Sequence, residues 1–110
     1  MRSARRTGVA RPADPPTYAA MELLGQRWML RVLWELEPGP LGFLELRRRM
    51  DNCSSSMLSQ RLQHLQGAGL AAKRPDKAHE LTRAGRELVT ALHPIWEWSR
   101  SWAGPAPDGD

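Results

Sequence analysis

A single cysteine, Cys53, stands in this chain of 110 residues. That scarcity excludes an intramolecular disulfide and any zinc site built from several thiolates. A reducing compartment is the expectation that follows. Long apolar runs are missing as well: no stretch of about 18 apolar residues occurs, so no membrane-crossing helix is expected. The first fifteen residues carry Arg2, Arg5, Arg6 and Arg11 but no apolar segment, unlike a secretory signal. Gly8, Pro12, Pro15 and Pro16 spoil the amphipathic helix of an organelle transit peptide. The chain therefore reads as soluble and cytoplasmic. Catalytic signatures are lacking too: there is no phosphate loop, nucleophile elbow or recognisable carboxylate pair. His64, His79 and His93 share no ligand spacing. No enzyme activity, metal or cofactor is expected.

What remains is ordinary for one globular domain, with 41% hydrophobic and 25% charged residues. Lys and Arg number 16 against 12 Asp and Glu, a formal charge of +4. Net charge alone identifies no partner. Its distribution says more. From Leu44 to Lys77, Arg47, Arg48, Arg49, Arg61, Lys73, Arg74 and Lys77 oppose only Glu45, Asp51 and Asp76, whereas Met21 to Glu37 holds three glutamates and two arginines. A basic half of this kind suits a phosphate backbone.

Residues 1–15 read as a flexible basic arm, 16–103 as the ordered domain, and 104–110 as a frayed tail. A first helix is expected over about 17–24, with Tyr18, Met21 and Leu24 at helical spacing and Gly25 at its end. A second spans about 28–37, with Met29, Val32, Leu33 and Leu36 on one face and Pro38-Gly39-Pro40 ending it. Leu41 and Gly42 suit a short strand. Phe43, Leu44, Leu46 and Met50 mark a third helix. A turn at 51–54 follows, and Ser54, Ser55 or Ser56 caps a fourth helix running to about Gln66. Its inner side is Leu58, Leu62 and Leu65. Residues 70–74 and 78–81 pair around Pro75-Asp76-Lys77 as a hairpin. Thr82 caps a fifth helix that carries Leu88, Leu92 and Ile95 inside and is expected to bend at Pro94.

Two short helices joined by a turn and followed by a hairpin have the layout of a winged helix-turn-helix. The fold expected is mainly α, with a short two-stranded wing. With the leucine stripe inside, the fourth helix (about 54–66) presents Ser55, Ser56, Ser59, Gln60 and Gln63, with His64 at the margin. None is acidic. Glutamine pairs bidentately with adenine in the major groove, and serine serves bases or phosphates. The wing, about 70–82, and the residues Arg47, Arg48, Arg61, Lys73, Arg74 and Lys77 are then the phosphate contacts.

Plainer readings stand beside these. Cys53 is a buried structural thiol or a reactive sensor, the former being the commoner fate of a free cysteine. The run Arg47-Arg48-Arg49 is a solvated helix face or a phosphate contact. Trp28 fits the core, and Trp34 packs under the last helix. Ile95, Trp96, Trp98 and Trp102 exceed what one short helix buries in a monomer, which points to a partner surface or to a pocket for a small aromatic effector. The two combine where a ligand site forms between subunits.

The segments Glu22-Leu23-Leu24-Gly25-Gln26-Arg27-Trp28, Gly42-Phe43-Leu44-Glu45-Leu46-Arg47-Arg48, Met57-Leu58-Ser59-Gln60-Arg61-Leu62 with His64-Leu65 and Gly69-Leu70, and Leu81-Thr82-Arg83-Ala84-Gly85-Arg86 stand in this order. Together they resemble the HxlR-type family of winged helix-turn-helix regulators, in the MarR-like superfamily, from about Tyr18 to Trp98. The resemblance implies a homodimeric repressor or activator of transcription that binds double-stranded operator DNA. It implies a C-terminal dimerisation helix, with the first and fifth helices forming the interface through Tyr18, Met21, Leu92, Ile95, Trp96, Trp98 and Trp102. Three departures accompany it. Pro16 occupies the position at which some members use a cysteine as a thiol switch, His79 replaces a tyrosine of the wing, and the wing is short. A competing expectation is a winged-helix protein-interaction module that binds its partner through the Trp-rich C-terminal helix.

Overall fold

Four apolar side chains at three- and four-residue spacing, Met29, Val32, Leu33 and Leu36, are buried along one helix in the core of the fold. The rest of the fold is laid around that helix. In the computed structural model, which describes residues 14–104, the order is α1 (Pro15–Leu24), α2 (Met29–Leu36), α3 (Phe43–Arg49), α4 (Ser55–Gly67), β1 (Ala71–Lys73), β2 (His79–Leu81) and α5 (Arg83–Ala103). The arm expected over 1–15 lies outside the described residues except for Asp14 and Pro15, and the tail except for Gly104.

The first boundary differs from expectation. Helix α1 starts at Pro15 rather than Thr17, because Asp14 is its cap: the Asp14 carboxylate accepts from the Thr17 backbone N–H at 2.9 Å. Pro15 and Pro16 occupy the first two helical positions, where the missing N–H costs nothing. The Thr17 hydrogen bonds also hold the Asp14 carboxyl below its ordinary value. Helix α1 buries no residue of its own.

The core joins the α2 stripe to Leu46 and Met50 of the α3 region, to Leu58, Leu62 and Leu65 of α4, and to Ala71, Leu81, Val89 and Leu92. Burial of each leucine stabilises the fold by about 1.5–3 kcal/mol. Cys53 is buried among these side chains, in keeping with a structural thiol. Strands β1 and β2 pair antiparallel in the register Ala71–Leu81, Ala72–Glu80 and Lys73–His79. The strand expected at Leu41 is reduced to one bridge, in which Leu41 and His79 exchange backbone hydrogen bonds of 2.9 and 2.8 Å. Helix α5 continues through Pro94 without interruption. The turn of helix lacking a donor there is exposed, so water can satisfy the freed carbonyl.

Candidate nucleic-acid interface

The α3–α4 turn sets the angle of α4, and its backbone explains its sequence. Asp51 and Asn52 both take left-handed conformations, with φ of 61° and 54°. Asp and Asn tolerate that region better than other residues with a Cβ. The Arg47 guanidinium closes the turn, Nε donating to the Cys53 carbonyl at 2.5 Å. Ser54 is the serine that caps α4, its hydroxyl accepting from the Met57 N–H at 3.2 Å.

From that start α4 turns its leucine stripe inward, and Ser55, Ser56, Gln60 and Gln63 are exposed. Ser59 is half-buried on the flank nearest the wing, where Ser59, Gln63, Lys73 and His79 border a small groove with Phe43. His64 is exposed but occupied: Gln26 Nε2 donates to its Nδ1 at 2.6 Å. No carboxylate interrupts this outer face.

The six expected phosphate contacts divide by what else they do. Arg48 is paired with Glu45, which also binds Arg49 at 2.9 Å. The Arg49 hydrogen bond, with the positive charge of Arg48, holds the Glu45 carboxyl below its ordinary value. Arg74 lies 3.3 Å from Asp76 and 3.7 Å from Glu80. Arg47 and Arg61 spend a guanidinium N–H on backbone carbonyls, Arg61 on that of Arg27 at 2.7 Å. Lys73 and Lys77 are exposed and have no ion pair among the described residues. These two lysines hold the wing's readily available charge.

The expected dimer surface separates into two parts. Tyr18, Met21, Ile95, Trp98 and Trp102 are exposed, and the Trp98 and Trp102 rings stack with centroids 5.2 Å apart. Trp98 is 57% exposed and Trp102 72%, a large apolar surface to leave in water. Two of the expected residues turn the other way. Leu92 is only 4% exposed, because it packs in the monomer's own core, and cannot serve as a contact. Trp96 is half-buried and meets Trp34 edge-to-face at 5.5 Å, so Trp34 does pack against the last helix. Periodicity on a long helix cannot tell which apolar stripe its own domain consumes.

Sequence reasoning missed the segment between α1 and α2. The expectation for Trp28 is simply a core position. Trp28 does pack against the core, half-buried at the start of α2, but in a left-handed conformation with φ of 74°. Its neighbours Gln26 and Arg27 bond to α4. No local pattern signals a contact spanning 34 or 38 residues.

The HxlR-like helix-turn-helix family model matches residues 23–107. The uncharacterized HTH-type transcriptional regulator YvaP of Bacillus subtilis is 28% identical over 93 residues, covering 79% of this chain and 86% of that protein. The uncharacterized HTH-type transcriptional regulator Rv3095 of Mycobacterium tuberculosis is 35% identical over 96 residues, which are 82% of this chain but 60% of that longer protein. Among solved structures, quinone-bound YodB from B. subtilis superposes with a TM-score of 0.74 at 26% identity, covering 79% of this chain and 97% of that one. With the element order, the helix-turn-helix and the wing already described, the chain belongs to the HxlR-like helix-turn-helix family of transcriptional regulators.

Proposed function

We propose that this regulator binds operator DNA as a homodimer, with α4 in the major groove and the wing along the backbone. The observation that carries the reading is the outer face of α4, where Ser55, Ser56, Gln60 and Gln63 are exposed and no carboxylate intervenes. A B-form groove about 12 Å wide accepts a helix about 10–12 Å across, so those side chains reach base edges. Ser59 joins them from the flank. Lys73 and Lys77, with Arg48 and Arg74 once they exchange carboxylates for phosphates, hold the backbone. Arg47 and Arg61 retain N–H groups for the same purpose while bracing the turn and the helix.

The exposed part of the α1 and α5 surface, Tyr18, Met21, Ile95, Trp98 and Trp102, supports pairing of two chains. A pair related by two-fold symmetry sets two α4 helices about 34 Å apart, facing successive major grooves of an imperfect palindrome. The cleft between α2 and α5, about 510 Å³ and lined by Leu30, Arg31, Trp34, Trp96, Ser99 and Arg100, is where this reading seats a small aromatic effector. Its volume is within the range of small-molecule sites.

Sedimentation of the free protein combined with a salt titration on duplex DNA tests the reading. A dimer whose affinity falls steeply with salt is expected. A monomer that ignores DNA at low salt would favour the protein-interaction module, and fragments selected from genomic DNA supply the operator.

A further inference from the structure

The positively charged residues beside α4 lie on both of its flanks, and only one flank belongs to the wing. Each residue turns a helix by about 100°, so Ser56 and Gln60 sit opposite the buried stripe of Leu58, Leu62 and Leu65. Passing one way from them, the surface runs to Gln63 and Ser59, which border the groove shared with Lys73. The other way it runs to His64 and Arg61, which are bonded to Gln26 and to the Arg27 carbonyl in the α1–α2 turn. That turn therefore stands on the far side of the reading helix from the wing.

Arg27 is exposed at this position, with its guanidinium carbon 6.0 Å from the centre of the Trp28 ring. It has no carboxylate in ion-pair contact among the described residues. The adjoining Arg61 is likewise without one and is anchored by its hydrogen bond to the Arg27 carbonyl. Two positively charged residues thus meet where the α1–α2 turn crosses α4, Arg61 through its side chain and Arg27 through its main chain.

We infer that Arg27 binds a backbone phosphate on the strand opposite the one held by Lys73 and Lys77, so that the α1–α2 turn and the wing grip the two walls of the major groove. The inference rests on the DNA-binding reading above and adds a contact to it. The dimensions require such a partner. A helix that nearly fills a groove about 12 Å wide has a sugar–phosphate wall along each flank, and a positive charge on either flank meets phosphate. The wing supplies one side. The turn at Gln26–Arg27 supplies the other. It is fixed to α4 by two hydrogen bonds, and Trp28 ends it in a conformation that bulky residues rarely adopt.

The contact is measurable on a mixed-sequence duplex, because phosphate binding needs no operator. Each positive charge removed from a phosphate makes the slope of log affinity against log salt shallower by about 0.9, so a substitution carried by both chains of the dimer makes it shallower by about 1.8. Lys73→Ala is the reference for the wing. Arg27→Ala is expected to give the same change, the double variant about twice that change, and Arg27→Lys the wild-type slope. Within each half-site of a selected fragment, phosphate ethylation is expected to interfere on both strands in the wild type, and in Arg27→Ala to lose interference at one phosphate of the strand opposite the wing while the wing-side pattern stays. The Arg61 anchor survives each substitution, since its acceptor is main chain.

An Arg27→Ala variant with lower affinity but an unchanged slope would show a role in shaping the turn and overturn the phosphate contact. So would an unchanged affinity beside a shallower slope for Lys73→Ala, which leaves DNA binding standing. If the wild-type protein ignores duplex at low salt, the DNA reading fails and this contact goes with it.

Discussion

Gly85 is pressed so closely on the carbonyl of Leu70 that a Cβ at position 85 would lie 2.0 Å from that oxygen. The glycine is in the first turn of α5, and the carbonyl it meets is at the base of the wing. Thr82 completes the junction: its N–H donates to the Leu70 carbonyl at 3.0 Å, and its hydroxyl donates to the Gly69 carbonyl at 2.6 Å. The same hydroxyl accepts from the Gly85 N–H at 3.1 Å, capping α5. Wing and last helix are thus set against each other by backbone.

Gly85→Ala is therefore expected to destabilise the fold by at least about 2 kcal/mol, since a main-chain carbonyl cannot move aside as a side chain can. Denaturant unfolding measures it. A loss within about 0.5 kcal/mol, the range of a surface substitution, would contradict the close approach.

Gln60 is at the centre of the exposed α4 face. Gln60→Ala should cost about 1–3 kcal/mol on the cognate operator and blur preference at one or two base pairs, leaving the salt slope intact. Competition binding on single-base operator variants is the measurement. Equal affinity for the cognate site would remove Gln60 from the reading set.

Trp98 and Trp102 stack on each other in the open. If a second chain covers them, Trp98→Ala should weaken self-association by about 2 kcal/mol or more, as truncation of a central aromatic residue commonly does. Leu92→Ala, in contrast, should reduce stability by about 2–5 kcal/mol as a core cavity does. Sedimentation equilibrium and thermal unfolding separate the two effects. A Trp98→Ala chain that dimerises as well as wild type would place the interface elsewhere.

His79 is the one buried polar residue of the described core, and its Nδ1 has no hydrogen-bond partner there. Burial, with Lys73 nearby, pushes its pKa below the ordinary 6.5. Lys77, Asp76 and Glu45 line the same groove. In the unfolded chain the imidazole takes up its proton first as pH falls, so its contribution is a loss of stability from about 6.5 down to the folded value. His79→Phe should remove that part of the acid sensitivity. Unfolding free energy followed from neutral to mildly acid pH is the check, and parallel curves for the two proteins would refute it.

Much of this architecture could be read from the sequence because it is local. Leucines at 58, 62 and 65 and the α2 stripe repeat at the helical period, so hydrophobic burial alone orients both helices. Pro38 and Pro40 stop α2 by their fixed φ and missing N–H, and Gly39 by the entropy it would lose in a helix. Ser54 and Thr82 cap helices through hydroxyls three residues from the N–H groups they satisfy. Each of those choices depends on side chains within one or two turns of each other.

What the chain order left open was settled by contacts between distant segments. Whether Trp96 or Trp98 faces inward depends on where Trp34 lies, and whether Leu92 is core depends on how α5 lies over α2. Arg61 spends a hydrogen bond on Arg27, and His79 is enclosed, only after α4 and the wing have docked. Apolar and cationic side chains say how much surface must be covered or neutralised. Only packing, in which each volume is filled once, decides by which neighbour.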